Sequence, residues 1–150
     1  MSVLKDFMIT DHRACDEAFA TMENAVHEEK WDEAKKLFES FASDLNYHFD
    51  MEEEVMFPTF ESRSGSAHCN PTPVMIMEHT QMRKLTSDMR EQLDAKNKDQ
   101  FFGLSETLMM TMQQHNMKEE QMMYPMVDEA MVGEEQMLLD SMKELPRKYA

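Results

Sequence analysis

Apolar residues recur along this chain at steps of three and four, the spacing that keeps side chains on one face of an α-helix. Four such runs are present. The first passes through Met8, Cys15, Phe19, Met22 and Val26, with His12 in step. The second passes through Leu37, Phe41, Leu45 and Val55, with His48 and Glu52 in step. The third carries Met75, Met82, Leu85, Met89 and Leu93 around His79. The fourth carries Leu104, Leu108, Met112, Met122 and Met126 around His115 and Glu119. Polar turns near Glu28–Asp32 and Lys96–Asp99 separate the first run from the second and the third from the fourth. Pro58 and Pro125 are expected near the C-terminal ends of the second and fourth helices, because proline cannot continue the backbone ladder. The linker Ser62–Pro73, SRSGSAHCNPTP, favours an irregular loop. Beyond Gly133, residues Met137, Leu138, Met142 and Leu145 predict a short fifth helix, about 134–148, lying over the others. The pattern predicts an all-α fold, an up-down-up-down four-helix bundle in a single domain over 1–150.

The two halves of the pattern are copies. Residues 48–58 read HFDMEEEVMFP and residues 115–125 read HNMKEEQMMYP, an offset of 67. The same offset carries Asp11-His12 onto Glu78-His79, Met8 onto Met75, Met22 onto Met89 and Leu37 onto Leu104. So many matches at one offset mark a duplicated helical hairpin, with halves at about 1–67 and 68–134.

Composition narrows the function. Fifteen Lys and Arg against thirty Asp and Glu leave a net charge of −15. That balance argues against a nucleic-acid or anionic-membrane surface, since both need a basic patch. No apolar run approaches the roughly 18 residues of a membrane span. The opening MSVLKDFMITDHRACDE lacks the basic segment and apolar stretch of a secretory signal. Two cysteines, Cys15 and Cys69, make no disulfide framework, and a reducing cytoplasm is the expected compartment. Nineteen methionines supply much of the apolar surface. Methionine favours helices and fills irregular cores, so packing is its expected role. A dry pocket for a small gas, or a surface that absorbs oxidation, is a second reading. A soft-metal site at Met109, Met110, Met112 and Met117 is a third, resting on spacing alone.

The chemistry lies in what interrupts the apolar faces. His12, His48, Glu52, His79, His115 and Glu119 all occupy core positions. Buried carboxylates near one another need positive charge between them, and no Lys or Arg stands on these faces. A metal would supply it. His48 and Glu52, like His115 and Glu119, are separated by four residues and project from adjacent turns of one face. The midpoint of His12 and His48 is residue 30 and that of His79 and His115 is residue 97, both inside predicted turns. Each hairpin therefore brings its two histidines level. Four His and two Glu suit two metals bridged by Glu52 and Glu119, with two His on each. Nitrogen and oxygen donors without thiolate suit iron or manganese, with zinc and copper as competitors.

At these residues the chain resembles the hemerythrin-like family, the HHE cation-binding domain, in its bacterial single-domain type. The marks are DHRACDE at 11–17, the two His-x-x-x-Glu-Glu-x-x-Met-(Phe/Tyr)-Pro blocks, and MEH at 77–79, within a resemblance covering about 8–130. The resemblance implies a four-helix bundle around a non-haem di-iron centre, two Fe ions joined by an oxo or hydroxo bridge. It places His12, His48, Glu52, His79, His115 and Glu119 at the family's ligand positions. It implies O2 binding for sensing, storage or delivery. The alternatives are nitric oxide or peroxide handling, iron supply for iron–sulfur cluster repair, or a metal-stabilised structural protein. A protein redox or delivery partner is a further expectation. Oxygen-carrying members have a fifth His one turn from the third-helix ligand, where this chain has Met75 and Arg83.

The remaining polar residues receive plainer readings. His27 is expected at the end of the first helix and His68 in the linker, neither as a ligand. Glu53 and Glu120 are expected to support the site or face solvent. Tyr47 and Tyr124 are expected to pack in the core, with hydrogen bonding at the site as the alternative. Cys15 is read as a small buried residue.

Overall fold

The computed structural model describes residues 2–64 and 70–148, and among them every regular element is helical. In chain order these are α1 (Val3–His27), α2 (Trp31–Met51), α3 (Phe57–Ser64), α4 (Thr72–Asp94), α5 (Lys98–Lys118), α6 (Tyr124–Ala130) and α7 (Glu135–Lys143). Ser2 caps α1, its Oγ accepting from the Lys5 amide at 3.0 Å.

Each long hairpin closes in a left-handed residue that is not glycine: Glu29 at φ 59° and its repeat equivalent Lys96 at φ 56°. The amide of the next residue reaches back to the helix end, Lys30 to the Ala25 carbonyl at 3.0 Å and Asn97 to the Gln92 carbonyl at 2.8 Å. This satisfies carbonyls that the helix leaves open and turns the chain sharply. α1 then packs along α2, and α4 along α5.

The prolines do not end their helices. A π-helical turn, Glu52–Met56, runs from α2 straight into α3, and Glu119–Met123 does the same between α5 and α6. Phe57 donates to the Glu52 carbonyl and Tyr124 to the Glu119 carbonyl, five residues back. The wider turn absorbs one extra residue just before Pro58 and Pro125, where a regular ladder would meet the proline ring. It also rotates the buried face by one position. Met56, Phe57 and Phe60 are buried where Val55 was expected, and Met123, Tyr124 and Val127 where Met122 and Met126 were. Leu37, Leu85 and Leu104 are likewise half-buried, flanking Phe38, Thr86 and Ser105 in the interior.

The expected linker is shorter than Ser62–Pro73, since α3 reaches Ser64 and α4 starts at Thr72. His68 and Cys69 lie outside the described residues. The last helix is also shorter than 134–148. It stops at Lys143, and Pro146 follows where the chain has left the helix. Leu138, Leu139 and Met142 pack inward while Met137 is exposed. The tail is tied down by Tyr47, which donates to the Leu145 carbonyl at 2.8 Å, and by Arg147 on Asp44.

The interior is two apolar clusters with a polar layer between them. One, near the hairpin turns, contains Phe19, Phe38, Phe41, Phe49, Met82 and Phe101. The other, at the opposite end, contains Leu4, Met8, Met56, Phe57, Tyr124 and Leu139. Among the described residues, no helix is long and apolar enough to cross a membrane.

Candidate metal centre

The polar layer holds all six residues picked out by the sequence. His12, His48, Glu52, His79, His115 and Glu119 are each at most 4% exposed. α1 supplies His12, α2 His48, α4 His79 and α5 His115. Glu52 and Glu119 open the two π-helical turns, one helical turn beyond His48 and His115.

The imidazoles meet in pairs. Nε2 of His12 lies 3.1 Å from Nε2 of His48, and the same separation holds for His79 and His115. The two carboxylates lie between the pairs. Glu52 stands 3.5 Å from His48 through Oε2 and 3.0 Å from His79 through Oε1. Glu119 Oε1 stands 3.1 Å from His12 and 3.3 Å from His115. Two groups of donor atoms result, each gathered within 4.8 Å: His12, His48, Glu52 and Glu119, and Glu52, His79, His115 and Glu119. Both carboxylates belong to both groups.

Each histidine is held from behind by a carboxylate. The Nδ1 atoms of His12, His48, His79 and His115 lie 2.8, 2.7, 2.6 and 2.7 Å from Glu120, Asp11, Glu53 and Glu78. A carboxylate only accepts, so Nδ1 carries the hydrogen and, in the neutral ring, the Nε2 lone pair faces the centre. The arrangement obeys the repeat, since Asp11 maps onto Glu78 and Glu53 onto Glu120. Glu53 and Glu120 thus support the site, and each reaches a histidine of the other hairpin. Sequence reasoning did not assign Asp11 and Glu78 a role, although the duplicated Asp-His and Glu-His pairs carried the signal.

Tyr124 belongs to the site and not to the packing alone. Its hydroxyl donates to Glu52 Oε2 at 2.7 Å and lies 3.0 Å from Glu119 Oε1. The π-helical turn that precedes it rotates the side chain inward. Tyr47, on α2, donates instead to the C-terminal tail, and His27 is exposed at the end of α1. Cys15 is buried, and burial raises its thiol pKa to about 12. Met112 is buried while Met110 and Met117 are exposed, so the α5 methionines do not share one environment.

Electrostatics in the layer are those of a closely coupled set. Burial opposes charge on His115, but Glu119 outweighs it and raises the pKa to about 9. His48 and His79 are raised in the same way against burial, with Glu52 as the leading opposing partner. Burial would push Glu119 up, yet His115 and hydrogen bonds from its neighbours hold it well below the usual carboxylate range. Burial, then the charges of Glu119 and Glu52, keep the Tyr124 hydroxyl protonated far above its usual range.

The donor set fits metal ions. Glu52 Oε1 and Glu119 Oε2 are fully buried and accept no hydrogen bond, which is costly for carboxylates in an apolar interior. A cation in each four-residue group would satisfy both atoms, and imidazole with carboxylate suits iron, manganese or zinc.

Comparison with known proteins agrees. The family model described as Hemerythrin HHE cation binding domain matches residues 3–127. No curated protein and no solved structure matches the chain. With a family match over most of its length, and the histidines and carboxylates of a cation site gathered between its helices, this chain belongs to the hemerythrin HHE cation-binding family.

Proposed function

We propose that this protein is a single-domain di-iron protein over 1–150 that binds O2 for sensing, storage or delivery. One observation carries the reading: the two donor groups share Glu52 and Glu119, so both carboxylates would be available to two metals held there. His12 and His48 hold one ion, and His79 and His115 the other. The repeat halves, about 1–67 and 68–134, are taken as two hairpins of an up-down-up-down bundle. The close packing of α1 on α2 and of α4 on α5 supports this. Iron, when bound and reduced, supplies a centre that takes up O2 or another small ligand.

The chain's own residues prepare that centre. Asp11, Glu53, Glu78 and Glu120 fix the imidazole orientations and make each Nε2 a stronger donor. Tyr124 steadies Glu52 and Glu119 and offers a protonated hydroxyl beside them. The two apolar clusters exclude bulk water from both ends of the layer.

A second reading is nitric oxide or peroxide handling, or iron supply for cluster repair, at the same centre. It is favoured by the six-residue ligand set, with Met75 and Arg83 flanking His79 where a further histidine would stand.

Anaerobic loading with Fe(II), followed by titration with O2, nitric oxide and peroxide, separates these. Reversible O2 binding produces a visible absorption that appears with O2 and fades under vacuum. Repeated consumption of nitric oxide or peroxide establishes the second reading. Less than one metal per chain in protein purified from its native host rejects the di-iron centre.

A further inference from the structure

The ligands of the two halves obey the 67-residue repeat, but the charges around them do not. On the His79/His115 side, both carboxylates that hold the imidazoles are themselves held by cations. Arg83 donates to Glu53 at 2.7 Å, and Lys118 to Glu78 at 2.5 Å. Arg83 also reaches Asn46 and Asp50 and lies over the Phe49 ring. The repeat equivalent of Arg83 is Asp16, and that of Lys118 is Met51. Glu120 and Asp11, on the His12/His48 side, therefore contact no Lys or Arg among the described residues.

Other charges do not restore the balance. Asp50 adds a negative charge beside Arg83, but Arg83 and Lys118 touch the supporting carboxylates directly. Arg13 lines the cleft beside His12 and Glu120 but forms no ion pair among the described residues, and Arg147 pairs with Asp44 and acts on Asp11 only through space, without touching it. The fully buried Oδ1 of Asp16 accepts no hydrogen bond. The surface differs in the same sense. Arg83 covers the outside of Glu53, whereas a cleft of about 420 Å³, with Arg13 at its edge, opens beside His12, Asp16, Asn116 and Glu120.

These contacts have a direction. A carboxylate not shared with a cation draws the Nδ1 hydrogen more strongly and makes Nε2 the better donor. A nearby positive charge also disfavours a metal cation directly. Tyr124 is a further asymmetry, and its hydroxyl, donating to Glu52 Oε2 on the His12/His48 side, opposes the charge effect only in part. Its oxygen stands 3.1 Å from His12 Nε2 and 3.4 Å from His48 Nε2, and its repeat equivalent is Phe57, which has no hydroxyl.

We propose that the two metal positions are unequal: the His12/His48 position fills first and holds its ion more tightly. Arg83 and Lys118 are positioning residues that weaken the His79/His115 position through Glu53 and Glu78. The inference rests on the two-metal reading above. With solvent screening of the half-exposed arginine, the affinity gap is about tenfold.

Titration of the metal-free full chain with Co(II), followed by calorimetry and visible absorption, tests this. The wild-type chain is expected to bind two ions in two steps about tenfold apart. Arg83→Gln tightens the weaker step and leaves the tighter one unchanged, while Arg83→Lys retains wild-type behaviour. Lys118→Met acts on the weaker step like Arg83→Gln, and Asp16→Asn weakens the tighter step. Two ions bound with one affinity, or Arg83→Gln acting on the tighter step, overturns the inference and leaves the two-metal reading standing. One ion or none overturns both.

Discussion

Single side chains decide whether the site can hold a cation. Replacing Glu52 or Glu119 with Ala removes an atom that belongs to both donor groups. Each variant is expected to lose metal content and, with it, the rise in Tm that metal confers, because a bound ion stabilises only the folded chain. Elemental analysis beside thermal melts checks this, and unchanged metal content in both variants would remove them from the site. The histidines set a pH dependence. A group whose folded pKa is raised stabilises fully below its unfolded value, about 6.5, and loses that contribution as pH rises through the folded value. For His115 the folded value is about 9, and His48 and His79 are raised as well. The metal-free protein is therefore expected to lose Tm between about pH 6.5 and 9. The metal-loaded protein, whose histidines are already deprotonated, should not show that fall. Cys15 gives a third outcome at this scale. With a thiol pKa of about 12 and 5% exposure, it should resist alkylation at neutral pH until the chain unfolds. A Cys69→Ser background makes that measurement unambiguous.

At the scale of the elements, the two π-helical turns matter most. Each inserts one residue, so the helix before it presents His48 or His115, and the helix after it presents Phe57 or Tyr124, to the same interior. Deleting exposed Gln121 from the turn Glu119–Met123 should restore a regular helix and rotate Met123, Tyr124 and Val127 out of register. The expected cost is about 2–5 kcal/mol, the range for emptying a packed core site. Gln121→Ala, which keeps the residue count, should stay within about 0.5 kcal/mol. Urea denaturation of the two variants distinguishes them. This device also explains where sequence reading faltered. A period of 3.6 assigns one face to an unbroken helix, and it held through α1, where Met8, His12, Cys15, Phe19, Met22 and Val26 are all buried. It failed at and beyond the inserted residues, at Val55, Met122 and Met126, and it was one position off at Leu37, Leu85 and Leu104, where Phe38, Thr86 and Ser105 take the interior. Periodicity carries no term for an extra residue, and a proline reads as a stop when the wider turn before it is invisible.

Across the whole molecule, a polar layer of four histidines and two glutamates is clamped between two apolar clusters. Such a layer is expensive to bury without a cation, so metal removal should be felt throughout the fold. Free divalent ion at about a hundred times its Kd adds about 2.7 kcal/mol for each occupied site. Chelation is expected to lower Tm accordingly, and differential scanning calorimetry before and after it checks the fall. The net charge of −15 acts at the same scale. Two of the acids, Glu52 and Glu119, are inside the layer, and four more, Asp11, Glu53, Glu78 and Glu120, hold its histidines. Part of the acidic excess is therefore committed to the site, and the rest lies around it.

What the sequence determined by itself was the helical class, the duplication and the six inward-facing polar residues. All three follow from spacing along one chain: a helix turns at a constant rate, and a hairpin makes positions equidistant from its turn level. What only the tertiary structure decided was which carboxylate holds which histidine and which side of the centre a cation covers. Glu53 and Glu120 reach across to the opposite hairpin, 26 and 108 residues away in sequence from the histidines they hold. Tyr124 enters the layer because an inserted turn rotates it there. Such pairings depend on how separate helices pack, and spacing within one helix does not encode them.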